Sequence, residues 1–113
     1  MLNTVSLIKN KDFGRVYRKS RYYVGNFIIL YSLPNRLAKN RLGITASRKT
    51  GKSVRRNRIR RLIRENYRLN EASIKTGFDI VFVVRKKDML PGFKEIEKDM
   101  KYLLRKAGLM EME

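Results

Sequence analysis

Arg56, Arg60, Arg64 and Arg68 stand four residues apart, a spacing that stacks guanidinium groups along one side of a helix. They belong to Lys52–Arg68, in which eight of seventeen residues are Lys or Arg and Glu65 is the one acid. Like charges at this spacing repel by about 0.2–0.5 kcal/mol per pair, and an ordinary surface helix mixes its signs to avoid that. The unmixed array points to an anionic partner that offsets the repulsion. Arginine outnumbers lysine here, and its planar fork suits phosphate oxygens and base edges. The chemistry is polyanion binding by Arg56, Asn57, Arg58, Arg60, Arg61, Arg64 and Arg68. Arg48, Lys49 and Lys52 add basic contacts at the helix entrance.

Other chemistries find little support. The chain has no His and no Cys, which removes the usual zinc spacings, thiol nucleophiles and disulfides. Asp12, Asp79 and Asp88 are scattered, whereas a protein nuclease gathers two or three carboxylates around Mg²⁺. Gly51-Lys52-Ser53 matches the end of a Walker A loop, but the glycine needed five residues earlier is Ala46. No metal site and no firmly bound cofactor are expected.

A second candidate site is aromatic. Phe13 and Tyr17 lie at i,i+4 on a predicted helix, and Phe27, Ile29 and Tyr31 alternate along one face of a predicted strand. With Arg15 and Arg18 beside them, and Lys19 and Arg21 nearby, these rings suit single-stranded nucleic acid. Bases stack on aromatic faces while cations follow the phosphates. The competing reading is ordinary core packing, which residue types alone do not exclude.

The elements that position these residues follow from periodicity. A short helix is predicted over residues 10–20, with Asn10 as cap. Tyr22 to Leu33 reads as one strand inside the sheet, and Pro34 to Asn40 as a hairpin turn leading to a strand over Arg41–Ser47. Ser53 is placed to cap the arginine helix, which runs to about Asn70 with Ile59, Leu62, Ile63, Tyr67 and Leu69 on its apolar arc. Asn66 interrupts that arc, either bonding a neighbouring backbone or marking an uncovered face. Phe78 to Arg85 is a β-branched run typical of a buried strand parallel to a neighbour. Pro91 opens a last helix with a stripe of Phe93, Ile96, Met100, Leu103, Leu104 and Ala107, and Gly108 stops it. The order is α-β-β-α-β-α, an α+β fold in which a small mixed sheet packs with helices.

Length and composition agree. The 113 residues suit a single domain over 1–113 with its core at about 7–107, and 42% hydrophobic content supports folding. Net charge of +18 draws in nucleic acid or an anionic membrane. No run reaches the roughly 18–20 apolar residues of a membrane span, and the N-terminus makes a poor signal peptide. A cytoplasmic protein is expected, with no membrane and no obligate protein partner.

The chain closely resembles the bacterial ribonuclease P protein subunit over roughly Leu7 to Ala107. Most specific is Ser47 to Arg64, with Arg56-Asn57-Arg58-Ile59-Arg60-Arg61-Leu62-Ile63-Arg64 at its centre. Asp12-Phe13, Val16-Tyr17, Phe27 to Tyr31, Arg41 to Ile44 and Asp79 to Val81 support it. The resemblance implies an α/β sandwich with a left-handed βαβ crossover through the arginine-rich helix. It also implies partnership with a large catalytic RNA that carries Mg²⁺ and removes the 5′ leader of precursor tRNA. The arginine helix would dock on that RNA, and the leader would lie in a cleft lined by Phe13, Tyr17 and Tyr31. A structural RNA-binding protein, such as a small ribosomal protein, is the alternative. It would share size and charge but usually carries them on extended tails.

Overall fold

A computed structural model describes residues 1–112. The chain runs β1 (Thr4–Ser6), α1 (Asn10–Lys19), β2 (Arg21–Val24), β3 (Ile28–Pro34), β4 (Asn40–Thr45), α2 (Ser53–Asn70), β5 (Phe78–Val84) and α3 (Phe93–Lys106). The five strands form one sheet in the order β1-β4-β5-β3-β2. β4 pairs parallel to both β1 and β5, while β3 pairs antiparallel to β5 and β2. α2 is the crossover between the parallel strands β4 and β5.

The predicted element order survives with two additions. The run Tyr22–Leu33 is a hairpin of β2 and β3, because the chain reverses over Gly25–Phe27, closed by Gly25 N–H donating to Ile28 O at 2.8 Å. Gly25 is required by close packing: an added Cβ would lie 2.6 Å from the Asp99 carboxylate. That carboxylate accepts from the N–H groups of Asn26, Phe27 and Ile28 at 2.8–3.0 Å and so ties the turn to α3. The other addition is β1, held by Leu2 and Asn3 N–H groups donating to Glu71 and by Thr4 sharing a hydrogen bond with Tyr67 Oη.

Three local expectations are corrected. β3 and β4 do not form a hairpin, since β5 inserts between them and takes the hydrogen bonds of both. Neither Asn10 nor Ser53 caps a helix: Lys9 and Lys52 hold those positions without side-chain bonds, and Ser53 is the first helical residue. Pro91 precedes α3, whose cap position is Gly92. The predicted stop is as expected, Gly108 taking a φ of 76° after the helix.

Strand register assigns the two sheet faces. Leu30, Phe82 and Ile44 lie side by side on one face, with Ile28 and Val84 in the next row and Ile80 and Leu42 in another. α2 and α3 cover this face, and Ile59, Ile63, Tyr67, Ile96, Met100, Leu103 and Leu104 complete the main core. Each such side chain contributes about 1.5–3 kcal/mol on burial. Asn66 is fully buried in it, donating from Nδ2 to Leu62 O at 3.0 Å and Phe93 O at 3.3 Å. It therefore bonds backbone and stitches α2 to the start of α3. Leu69 is exposed, at the rim of the apolar arc, where sequence periodicity alone had placed it inward.

Candidate nucleic-acid interface

The other sheet face carries α1, and its core is much smaller: Leu7, Val16 and Val81, with Phe13, Tyr31, Leu33 and Val83 packed around them. Val16 is the one buried residue of α1. Burial of that side chain is worth about 2 kcal/mol, and half-buried Phe13 adds to it, so the apolar hold on α1 is modest. An ionic cluster supplements it. Arg41 donates from Nε and Nη2 to the two oxygens of Asp79, each at 2.7 Å, and Arg15 Nη2 donates to Asp79 at 3.3 Å. Asn35 Nδ2 adds a bond at 3.0 Å, and Asp12 lies 3.4 Å from Arg41 and 3.7 Å from Arg15. Burial pushes the Asp79 carboxyl up, but the bonds from Arg41 and Asn35 and the charges of Arg41 and Arg15 outweigh it and hold it below its ordinary range.

So anchored, α1 covers only part of its face. Tyr22, Tyr31, Val81 and Gly43 form one cross-strand row, and Val24, Ile29, Val83 and Thr45 the next. In the second row Ile29, Val83 and Thr45 are half-buried and Val24 is exposed, leaving a strip of sheet with no helix above it. Tyrosines border the strip. Tyr17 and Tyr31 meet edge to face with centroids 5.0 Å apart, Tyr22 lies 5.7 Å from Tyr31, and Phe13 lies 6.3 Å from Tyr17. Tyr17 Oη shares a hydrogen bond with Thr45 Oγ1 at 3.0 Å. Burial, then the neighbouring Tyr17 and Tyr22, raises the Tyr31 hydroxyl above its ordinary pKa, so it stays a neutral donor.

The sequence-predicted aromatic residues therefore divide. Phe13, Tyr17, Ile29 and Tyr31 share the α1 face. Phe27 does not: it sits in the β2–β3 turn, where strand alternation is broken, and packs against the main core. Phe13 is pressed onto the sheet, its ring reaching to 2.5 Å from where a Cβ on Gly43 would stand. Arg15 is engaged with Asp79, whereas Arg18 is exposed at the groove's helix. Tyr22, 62% exposed, was not singled out from the sequence. Its signal was the Gly25-Asn26 pair, which predicts a hairpin and places Tyr22 opposite Tyr31.

The arginine array is on the outer side of α2. Ile59, Ile63, Asn66 and Tyr67 are its buried residues, while Asn57, Arg58, Arg61, Arg64 and Arg68 are exposed. Their states differ. Arg68 is paired with Glu65 at 2.6 Å, and Arg60 donates to Asn57 Oδ1 and Ala46 O, both at 3.2 Å. Arg56 reaches the Ser53 hydroxyl at 3.4 Å. Arg58, Arg61 and Arg64 have no hydrogen bond or ion pair with a described residue. Arg48, Lys49 and Lys52 stand exposed at the helix entrance, around Gly51, whose φ of 131° turns the chain into α2. Arg55 is different, reaching across to donate to the carbonyls of Lys87 at 2.6 Å and Asp88 at 3.4 Å. Arg64 also borders a cavity of about 420 Å³ along β1, which Phe13, Gly43 and Ile44 line as well. The two candidate surfaces thus meet beside Gly43 and Ile44 of β4.

Known proteins resemble this chain over nearly its whole length. The family profile described as Ribonuclease P matches residues 1–108. The ribonuclease P protein component of Clostridium botulinum strain Loch Maree is 46% identical over 102 residues, covering 89% of this chain and 92% of that protein. That of Alkaliphilus metalliredigens is 44% identical over 110 residues, covering 97% and 99%. Among solved structures, the Staphylococcus aureus RNase P protein superposes with a TM-score of 0.84 at 32% identity, over 94% of this chain and 97% of that one. The Thermotoga maritima RNase P protein gives a TM-score of 0.81 at 30% identity, over 89% and 96%. The chain belongs to the ribonuclease P protein family, and its function is that of a protein component in tRNA processing.

Proposed function

We propose that this family member serves ribonuclease P through two binding surfaces and leaves the hydrolysis to the RNA subunit. The observation that carries the reading is the set of unpartnered guanidinium groups, Arg58, Arg61 and Arg64, on the solvent side of α2. A fold that commits its buried acids, Asp79 and Asp99, to internal bonds and leaves these three without a counter-charge is built for an external polyanion. In this reading α2, with Arg48, Lys49, Lys52, Arg56, Asn57 and Arg60, docks on the catalytic RNA. Arg68 contributes less, since it must first leave Glu65.

The 5′ leader of precursor tRNA then lies over the uncovered strip beside α1. Tyr17, Tyr31 and Tyr22 offer ring faces and edges, Ile29 and Phe13 an apolar floor, and Arg18 a phosphate contact. Arg15 acts mainly by holding α1 in place. The Mg²⁺ ions belong to the RNA in this scheme, and the protein's charge screens repulsion between RNA segments. No described helix is long and apolar enough to cross a membrane, and the cytoplasm is the compartment proposed.

The test is reconstitution with the RNA subunit and a labelled precursor tRNA. The protein by itself should leave the substrate intact. Added to the RNA it should raise cleavage, most clearly at low Mg²⁺. Robust cleavage by RNA-free protein would overturn the division of labour.

A further inference from the structure

The outer face of α3 has no part in either surface. α3 buries Ile96, Asp99, Met100, Leu103 and Leu104 toward the core. Its solvent side carries a basic row, Lys94 and Lys98 at i,i+4 and Lys98 and Lys101 at i,i+3, with Glu95 and Glu97 interleaved. Such repeats are repulsive and need an offset. The acids of the helix supply it at one point alone, Lys101. Asp99 has its oxygens engaged by the β2–β3 turn, Glu95 lies near Gly92 in the first turn, and Glu97 pairs only with Lys101, at 3.6 Å.

An aromatic ring stands in the middle of this array. Tyr102 is 51% exposed, although it belongs to an otherwise well-packed helix. Lys106 Nζ lies 5.5 Å from its ring centroid and donates to its hydroxyl at 3.2 Å. Around the ring is a depression of about 620 Å³ with Lys98, Lys101, Arg105 and Lys106 on its rim. A second depression, of about 440 Å³, continues from Lys98 and Tyr102 toward Arg85 and the β2–β3 turn. An exposed ring bordered by cations, where two depressions meet, matches the requirements of an unpaired strand: a stacking platform and an electrostatic track. A duplex keeps its bases stacked on each other and has no use for the ring.

We propose that this face of α3 is a second single-stranded RNA contact, in which a base stacks on Tyr102 while Lys98, Lys101 and Lys106 hold the flanking phosphates. It lies on the opposite side of the sheet from Tyr31, so it engages a different segment of RNA from the one beside α1. The site allows the protein to hold two unpaired segments at once.

The experiment measures binding of a fluorescent uridine decamer to the full chain as a function of salt. Tyr102→Ala should weaken binding by roughly 5-fold or more, as loss of one stacked base does, and Tyr102→Phe should restore it. Lys98→Ala with Lys101→Ala should lower the slope of log K against log salt by roughly 1.4, at about 0.7 per phosphate on a single strand. Both effects should persist in a Tyr17→Ala/Tyr31→Ala background, which separates this contact from the α1 groove. Unchanged affinity and slope would make α3 a solvated face and overturn the proposal. So would an effect that vanishes in that background, or one equally large for duplex RNA. If the variants lose binding to phosphatidylglycerol vesicles but keep the decamer, the face is a lipid surface and the RNA assignment fails. Thermal melting of each variant checks that the exposed substitutions leave the fold intact.

Discussion

Asp79→Asn should separate how α1 is held from what α1 presents. The carboxylate is fully buried and receives four side-chain bonds, two from Arg41 at 2.7 Å and one each from Arg15 and Asn35. The amide is nearly isosteric, so little cavity forms, but Arg41 loses its counter-charge and one oxygen becomes a donor facing a guanidinium. Removing one partner of a buried ion pair costs about 3–5 kcal/mol. Arg41 and Arg15 keep 22% and 41% of their side chains exposed, which places the expected loss near the lower end, about 3 kcal/mol. That exceeds the roughly 2 kcal/mol from Val16, the one residue α1 buries. Urea titration at neutral pH should find this loss, and the melting temperature should fall by roughly 10 °C.

The pH dependence supplies a second check. The folded carboxyl titrates below its ordinary value of 3.8, so its stabilising contribution is complete above that value. It is lost as pH falls through the lower folded pKa, where the native state must take up a proton. The gap between the natural chain and Asp79→Asn should therefore be widest above 3.8 and close below it. In the holoenzyme the variant should bind precursor tRNA more weakly, because α1 and Tyr17 are no longer fixed over the sheet. A stability loss under about 1 kcal/mol, or a gap indifferent to acid, would refute the claim that this cluster anchors α1.

Three further outcomes are expected. Arg58→Ala, Arg61→Ala and Arg64→Ala together should lower the salt slope of RNA-subunit binding by roughly 2–3 units with unchanged thermal stability, as titration at several salt concentrations will show. Tyr17→Ala and Tyr31→Ala should each weaken precursor tRNA but not mature tRNA by several-fold, from about 1–3 kcal/mol per stacked base; equal losses for both would place the rings off the leader path. Gly43→Ala would set a Cβ 2.5 Å from the Phe13 ring, costing about 1–3 kcal/mol in urea titration, and Phe13→Leu should recover much of it.

What could be read from the sequence was whatever is encoded locally. The arginine helix declared itself through a 3.6-residue period broken at Asn66, and its bounds, Ser53 and Asn70, are close to those the sequence predicts. β5 was legible from its near-continuous β-branched run because it is paired on both sides and mostly buried. Non-local pairing was not legible. Pro34-Asn35 does turn the chain, but nothing near it reports that β5, more than forty residues later, comes between the strands it joins. β1 is three residues long and depends on Glu71 and Tyr67, far along the chain, so it leaves no pattern of its own. Residue types pointed to Tyr17 and Tyr31, whose rings do meet on the α1 face, but Phe27 was misplaced because one missed reversal at Gly25 disrupts the alternation that assigns faces.

The acids explain how so basic a chain keeps its cations available. Asp79 joins α1 to β4 and β5, Asp99 joins α3 to the β2–β3 turn, and Glu71 joins the N-terminal residues before β1 to the end of α2. Each engages groups from an element distant in sequence, at a point where apolar contact is thin or the backbone would otherwise lack partners. The cations that remain face outward on α2, on α3 and beside α1. Joints and surfaces should therefore fail differently. A joint variant loses stability and binding together, because the surface it positions moves. A surface variant loses binding and salt dependence at full stability. Plotting the two losses against each other across Asp79→Asn, Asp99→Asn, the arginine triple variant and Tyr102→Ala should give two separate groups. If the surface variants fall among the joints, the exposed cations take part in holding the fold, and the separation argued here is wrong.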